Sequence, residues 1–268
     1  MKLTVLTDNH TFIDQYYLGE PALCFLIETD GRKLLLDTGY SNVCLRNSQA
    51  MGIDLAQVDT IVLSHGHNDH TGGLVPLRDA GLLAGKTVLA HPLCIQPKRL
   101  DGQGIGCPFS ARELAQSCNL HLSTEPVELT PHLTYLGEIP TTQVFEPRTS
   151  IGTYWDGSAW QPDLLLDDSA LVYHTADSLY ILTGCSHSGI CNIIAYAKTL
   201  FPDRPVLGVI GGFHLFHCDQ QLQDTISYFQ AQNLQHLYPC HCVSFQAKAE
   251  MHRVIPVQET GVGLQLNW

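Results

Sequence analysis

Three histidines and one aspartate crowd into six residues of the stretch SHGHNDHTGG, Ser64 to Gly73, directly after the apolar run TIVL, Thr60 to Leu63. Such a run reads as a buried strand, so the chain must fold with a donor-rich turn at a strand's C-terminal end, where sites are usually built. Neutral imidazoles and a carboxylate are the donors a borderline divalent ion takes, and packing gives no reason for this density. The stretch asks for a metal.

The surrounding pattern supplies the frame. LTVLT (Leu3 to Thr7), ALCFLIE (Ala22 to Glu28) and KLLLD (Lys33 to Asp37) read as strands, the last two joined by the hairpin signal Asp30-Gly31. Asn42 to Met51 reads as a helix, a second helix is expected after Thr71-Gly72-Gly73, and KTVLA (Lys86 to Ala90) reads as a strand ending in His91-Pro92. Lys98 to Pro108, KRLDGQGIGCP, favours a loop able to serve as a lid. Its glycines make a poor phosphate cradle, because no strand leads directly into them and no Gly-Lys-Ser/Thr follows.

Strand patterns return at His132 to Leu136, Ala170 to His174 and Ser178 to Thr183, and thereafter strands and helices alternate: Asn192 to Leu200 (helix), Val206 to Ile210 (strand), Leu222 to Gln232 (helix), His236 to Tyr238 (strand) and Ser244 to His252 (helix). The two halves are alike in order, with a boundary near residues 130–165, and the 268 residues are expected to form one domain. Three later strand ends carry donors: Gly184-Cys185-Ser186-His187, Gly211-Gly212-Phe213-His214 and Pro239-Cys240-His241-Cys242. On one continuous sheet they would share an edge with the first cluster, and Asp167-Asp168 before ALVYH would add a carboxylate. One shared site is the economical expectation.

Composition excludes several function classes. A net charge of −12 denies the chain the basic surface that nucleic-acid binding needs. The start, MKLTVLTDNHTF, has no apolar core of signal-peptide length, and no run approaches the roughly 18 apolar residues of a membrane span, so a cytoplasmic location is expected. In that setting the ten cysteines read as reduced thiols, most of them small buried residues.

HxHxDH, then a ligand just before a strand, then Gly-Cys at the end of the next, then a late histidine: this order resembles the metallo-β-lactamase superfamily. FLIETDGRKLLLDTG, SHGHNDHTGGL, LGEIP, DDSALVYH, LTGCSHSGICN, VIGGFHL and PCHC resemble in particular its branch of metal-dependent hydrolases related to the dihydropterin ribofuranosylaminobenzene phosphate synthases. The resemblance implies an α/β (α+β) fold, a four-layer αβ/βα sandwich of two mixed β-sheets with helices on the outer faces.

It also implies a ligand set. His65 and His67 would bind a first metal, and Asp69 and His70 a second. Asp168, with Asp167 as the alternative, stands where most members have a third histidine, and His241 matches the late histidine. His187 is preferred for the remaining region, with Cys185 as the alternative. Zinc is the first choice; the carboxylate makes the site harder and brings in manganese or iron. Two ions are expected.

The chemistry expected from the resemblance is hydrolysis of a small phosphorylated or pterin-like molecule by metal-activated water. Asp69 would orient that water or take its proton, and His214 would act on the substrate side. His91 and Arg148 are candidate substrate contacts, as are Lys98 and Arg99 for an anionic group. The alternatives are a transferase joining a dihydropterin to a ribofuranosylaminobenzene phosphate, and a non-catalytic metal-binding sensor. No nucleic-acid or membrane partner is expected, and oligomeric state is not legible.

Overall fold

The computed structural model describes residues 1–268. Lys2–Thr7 (β1), Cys24–Thr29 (β2) and Arg32–Leu36 (β3) form the expected antiparallel meander. Asp30 and Gly31 take φ of 53° and 76°, the positive values that a tight two-residue hairpin turn needs. Next come helix α1 (Val43–Ala50), strand β4 (Thr60–Val62), a single helical turn α2 (Asn68–Thr71), helix α3 (Leu74–Asp79) and strand β5 (Thr87–Ala90). The metal-seeking stretch is therefore partly helical, because Asn68 to Thr71 wind up behind His67 rather than staying in an open loop.

Lys98–Leu100 (β6) and Gln103–Gly104 (β7) are followed by helix α4 (Ala111–Ser117) and strands β8 (Asn119–Leu122), β9 (Val127–Thr130), β10 (Leu133–Tyr135), β11 (Thr153–Trp155), β12 (Trp160–Pro162), β13 (Ala170–His174) and β14 (Leu179–Thr183). Helix α5 (Ile190–Leu200), strand β15 (Val206–Gly211), helix α6 (Gln220–Gln232), strand β16 (His236–Pro239), helix α7 (Phe245–His252) and strand β17 (Gln265–Asn267) complete the order. No helix is long and apolar enough to cross a membrane, and no disulfide forms among the cysteines.

The chain divides into two compact units. The first comprises Met1–Thr124, Ser150–Asp167 and Gly261–Trp268. Its main sheet runs β17-β1-β2-β3-β4-β5-β8, with parallel pairing from β3 through β8. Leu6, Leu26, Leu35, Ile61 and Val88 from these strands pack with Cys44 of α1, Leu74 and Leu77 of α3 and Leu114 of α4. Burying one apolar helix stripe on a sheet in this way is what the alternating pattern dictates.

Its second sheet, β12-β11-β6-β7, corrects the expected loop at Lys98 to Pro108. Asp101 and Gly102 take φ of 50° and 82° and close a hairpin, while the Arg99 guanidinium lies 3.9 Å over the Trp160 ring. The glycines there build a hairpin rather than lead into a helix N-terminus.

The second unit comprises Glu125–Thr149 and Asp168–Thr260, with the sheet β16-β15-β14-β13-β10-β9. Strands β14, β15 and β16 are parallel neighbours, so their C-terminal ends lie at one edge. Strand β13 is antiparallel to β14 with Ala170 opposite Thr183, which brings the start of β13 to the same edge. Val172, Ile181 and Val209 pack with Ile193, Ile194, Ile226 and Phe229 of α5 and α6. The two large mixed sheets are those the resemblance implied, each with ligand-type turns at its strand ends, and the mixed α/β class stands as expected.

Candidate metal centre

In the first unit Asp37 organises the cluster. This fully buried carboxylate, at the end of β3, accepts from Ser64 N and Ser64 Oγ, each at 2.7 Å, and pairs with His70 Nδ1 at 2.7 Å. With Nδ1–H donated to Asp37, His70 Nε2 carries the lone pair. Ser64 Oγ also lies 3.0 Å from His65 Nδ1, and its own proton goes to Asp37, so it accepts from His65 and leaves His65 Nε2 as an acceptor.

That nitrogen faces His67 Nδ1 at 3.1 Å. Two nitrogens about 2.0–2.1 Å from one tetrahedral ion would stand roughly 3.3 Å apart, so the pair fits a shared cation. Ligand atoms of His65, His67 and Asp69 lie within 4.8 Å of one another. Asp69 Oδ2 is 3.6 Å from His70 Nε2, and its side chain is partly exposed while His70 is fully buried. Burial pushes the His67 imidazole down to about 4, so it stands neutral and ready to ligate at physiological pH.

The loop is held from behind. Gly66 N donates to Asp167 Oδ2 at 2.8 Å, and Lys98 Nζ reaches Asp167 Oδ1 at 2.8 Å and Asp163 Oδ2 at 2.7 Å. A Cβ on Gly66 would meet Cys94 O at 2.2 Å, so this residue must be glycine. Asn68 N donates to Ile105 O, also at 2.8 Å. His67, Asn68 and Asp69 open onto a surface cleft.

In the second unit the three strand ends are laced together. Ser186 Oγ donates to Gly212 O at 2.7 Å, Gly212 N to Gly184 O at 2.8 Å, and His214 N to Cys242 Sγ at 3.3 Å. Ser186, His214 and His241 all adopt positive φ, between 51° and 56°, an uncommon backbone state that clusters at functional sites. A Cβ on Gly212 would meet Cys242 Sγ at 2.5 Å, which explains the glycine ahead of Phe213 and His214. Cys185 is buried, and the His187 ring lies 4.5 Å from that of His214. Those two histidines line a cavity together with Glu146 and Ser186.

Asp168 sits fully buried at the start of β13. Its Oδ2 accepts from Ser188 N at 2.9 Å and from Ser188 Oγ, whereas its Oδ1 has no hydrogen-bond donor. Burial raises its carboxyl to about 6 despite the two bonds from Ser188, the Arg148 charge and the nearby His187 N–H. A buried carboxylate oxygen without a donor fits a cation ligand. Asp167 differs: both its oxygens are engaged, by Gly66 and by Lys98, and Lys98 holds its pKa below the usual value against the opposing effect of burial.

The remaining candidates are each held by neighbouring groups. His91 is buried, and its Nδ1 accepts from Leu93 N at 3.1 Å as the cap of a short 3-10 helix, Pro92–Ile95. Arg148 donates to Ile139 O at 2.7 Å. Lys98 is spent in its buried ion pairs and Arg99 on Trp160. The orienting roles of Asp37 and Ser64 went unread in the sequence, although the DTG of KLLLDTG marked the end of β3.

The geometry can be set beside known proteins. Residues 18–84 match the profile of the metallo-β-lactamase superfamily. The chain is 30% identical over 254 residues to the uncharacterized protein MJ0448 of Methanocaldococcus jannaschii, covering 94% of each. It is 26% identical over 262 residues to the 7,8-dihydropterin-6-methyl-4-(beta-D-ribofuranosyl)-aminobenzene-5'-phosphate synthase of the same organism, covering 92% of this chain and 89% of that one. Tm1679, whose crystal structure is described as that of a metal-dependent hydrolase of the beta-lactamase superfamily, superposes with a TM-score of 0.85 at 26% identity over 100% of this chain and 99% of that one. With a donor-rich turn after β4 and ligand-type residues at the ends of β14 and β16, the chain belongs to the metallo-β-lactamase superfamily.

Proposed function

We propose that this protein is a cytoplasmic metal-dependent hydrolase that holds two divalent ions, zinc first among them, and acts on a small molecule. His65, His67, Asp69 and His70 of the first unit and Asp168, His187 and His241 of the second would be the ligands. The observation that carries this reading is Asp168 Oδ1, a fully buried carboxylate oxygen with no hydrogen-bond donor. Such an oxygen is costly unless a cation faces it.

When bound, the ions would supply a water acidic enough to ionise near neutral pH and polarise the oxygen of a phosphoryl or carbonyl group. Asp69, partly exposed at the cleft, would orient that water and take up its proton. Asp37 keeps His70 and, through Ser64, His65 in the tautomer that offers Nε2. His214, in the cavity with His187, is the candidate to hand a proton to a leaving group.

A second reading rests on the 26% identical relative: transfer at a dihydropterin rather than hydrolysis. Product analysis separates the two, since hydrolysis consumes water and the transfer joins two organic fragments. The deciding experiment is elemental analysis of protein purified without added metal, for wild type and His67→Ala, Asp168→Ala, His187→Ala and His241→Ala. About two ions per chain in wild type, with losses in all four variants, supports the reading. No tightly held ion, and no thermal shift on adding metal, sinks both the hydrolase and the transferase.

A further inference from the structure

We propose that the cleft beside His67 and Asp69 is a substrate subsite for an uncharged, mainly apolar group, of which an aryl ring is the simplest form. The inference rests on the metal-dependent reading above and adds the class of substrate. Beyond the polar edge formed by His67, Asn68 and Asp69, the cleft is lined by Pro21, Tyr40, Leu100, Ile105 and Ile151. Tyr40 and Leu100 are 54% and 42% exposed, so their apolar surface faces solvent directly beside the candidate ligands. A few convergent polar groups against an apolar wall is the usual make-up of a small-molecule site.

The wall is built rather than incidental. Ile105 is fixed on both sides, its N–H donating to Lys98 O at 3.0 Å and its carbonyl accepting from Asn68 N at 2.8 Å. Ile151 N donates to Asp163 O at 3.0 Å, and Tyr40 N donates to Glu20 Oε1 at 3.0 Å. Leu100 is carried by the β6–β7 hairpin, which Arg99 clamps onto Trp160. The subsite therefore exists before any ligand arrives, which lowers the ordering cost of binding.

Charge narrows the occupant. No lysine or arginine lines the cleft. The nearest cations in sequence to Leu100 are committed elsewhere: Lys98 Nζ is buried between Asp163 and Asp167, and Arg99 is stacked on Trp160. A phosphate or carboxylate tail placed here would find Asp69 and no counter-charge. The part of the substrate that meets the metal ligands can be anionic; the part that fills this cleft cannot.

The test uses the zinc-loaded full chain and two non-hydrolysable probes that share a head group, methylphosphonate and phenylphosphonate, titrated calorimetrically. Phenylphosphonate is expected to bind roughly ten-fold more tightly, as partial burial of a ring implies. Leu100→Asn and Tyr40→Ser, at exposed positions that leave the circular dichroism spectrum unchanged, should abolish most of that advantage without altering methylphosphonate affinity. Equal affinity of the two probes for wild type overturns the subsite while leaving the hydrolase reading intact. So does a parallel loss of both probes in the variants. Failure of both probes to bind the loaded protein overturns the metal-dependent reading, and the subsite falls with it.

Discussion

Lys98 Nζ lies 2.8 Å from Asp167 Oδ1, and both side chains are wholly removed from solvent. The same carboxylate accepts Gly66 N, the peptide between His65 and His67, so a buried ion pair sets the backbone of the candidate ligand turn. Replacing Lys98 by Met leaves Asp163 and Asp167 buried without their counter-ion, and removing one partner of a buried pair typically costs roughly 3–5 kcal/mol. Urea denaturation of metal-free Lys98→Met should show a loss of that order. An unchanged midpoint would mean that water reaches the pair and screens it.

The pair also gives the stability a defined alkaline limit. Burial alone would lower the Lys98 pKa, but Asp167 and then Asp163 outweigh it and raise it above the ordinary 10.5. A value raised in the folded state means that the pair's contribution is fully present below the unfolded value and is lost as pH rises through the folded one. Thermal stability of the wild type is therefore expected to fall above pH 10.5, and in Lys98→Met this part of the decline should be missing. Parallel alkaline profiles for the two proteins would assign the decline to other groups.

Asp37 offers a cleaner probe of ligand orientation than any ligand itself. It accepts from Ser64 and pairs with His70, fixing which ring nitrogen of His70 carries its proton. Asp37→Asn keeps the shape but turns one acceptor into a donor, so His70 is pressed towards the tautomer that protonates Nε2. Loss of such an orienting partner commonly costs 10- to 100-fold in metal affinity. Competition against a chromophoric chelator should show a loss in this range with a native circular dichroism spectrum; wild-type affinity would remove Asp37 from the ligand machinery.

Local chemistry decided which parts of this architecture were legible. Asp30-Gly31 announced its hairpin because both residues tolerate positive φ, and the turns after β14, β15 and β16 were marked by glycine, histidine and cysteine following apolar strands. The Lys98–Gly104 hairpin escaped because its strands are two and three residues long and mostly exposed, giving no alternation to read. Helix α4 had a readable start, the Ser110 and Glu113 capping box, but only Leu114 is buried along it. Asp167 was unreadable as a brace: its partner Gly66 is 101 residues away, and in sequence it is merely the twin of Asp168. Only the hydrogen-bond partners separate the two carboxylates.

Proton competition should make metal binding steeply dependent on pH below neutrality. In the metal-free protein burial holds the Asp168 carboxyl up at about 6, whereas His67 is pushed down to about 4. Below pH 6 an incoming ion must displace the Asp168 proton, while His67 stays neutral until much lower pH. Zinc affinity measured from pH 7.5 to 5 should fall with a break near 6, and Asp168→Asn should bind weakly at every pH without that break. A break that survives in Asp168→Asn would move the titration to another ligand.

Cys185 and His187 stand on one turn and cannot both be assumed to ligate. Cys185 is buried at the end of β14, while His187 lines a cavity with His214, the more open of the two positions. Thiolate and imidazole leave different signatures on cobalt(II), because only sulfur gives an intense charge-transfer band in the near ultraviolet. With His187 as ligand, the cobalt-substituted wild type should lack that band, Cys185→Ser should retain its full metal content, and His187→Ala should lose about one ion per chain. A sulfur band in the wild type that vanishes in Cys185→Ser would transfer the role to the thiolate and leave His187 to work beside His214 on the substrate.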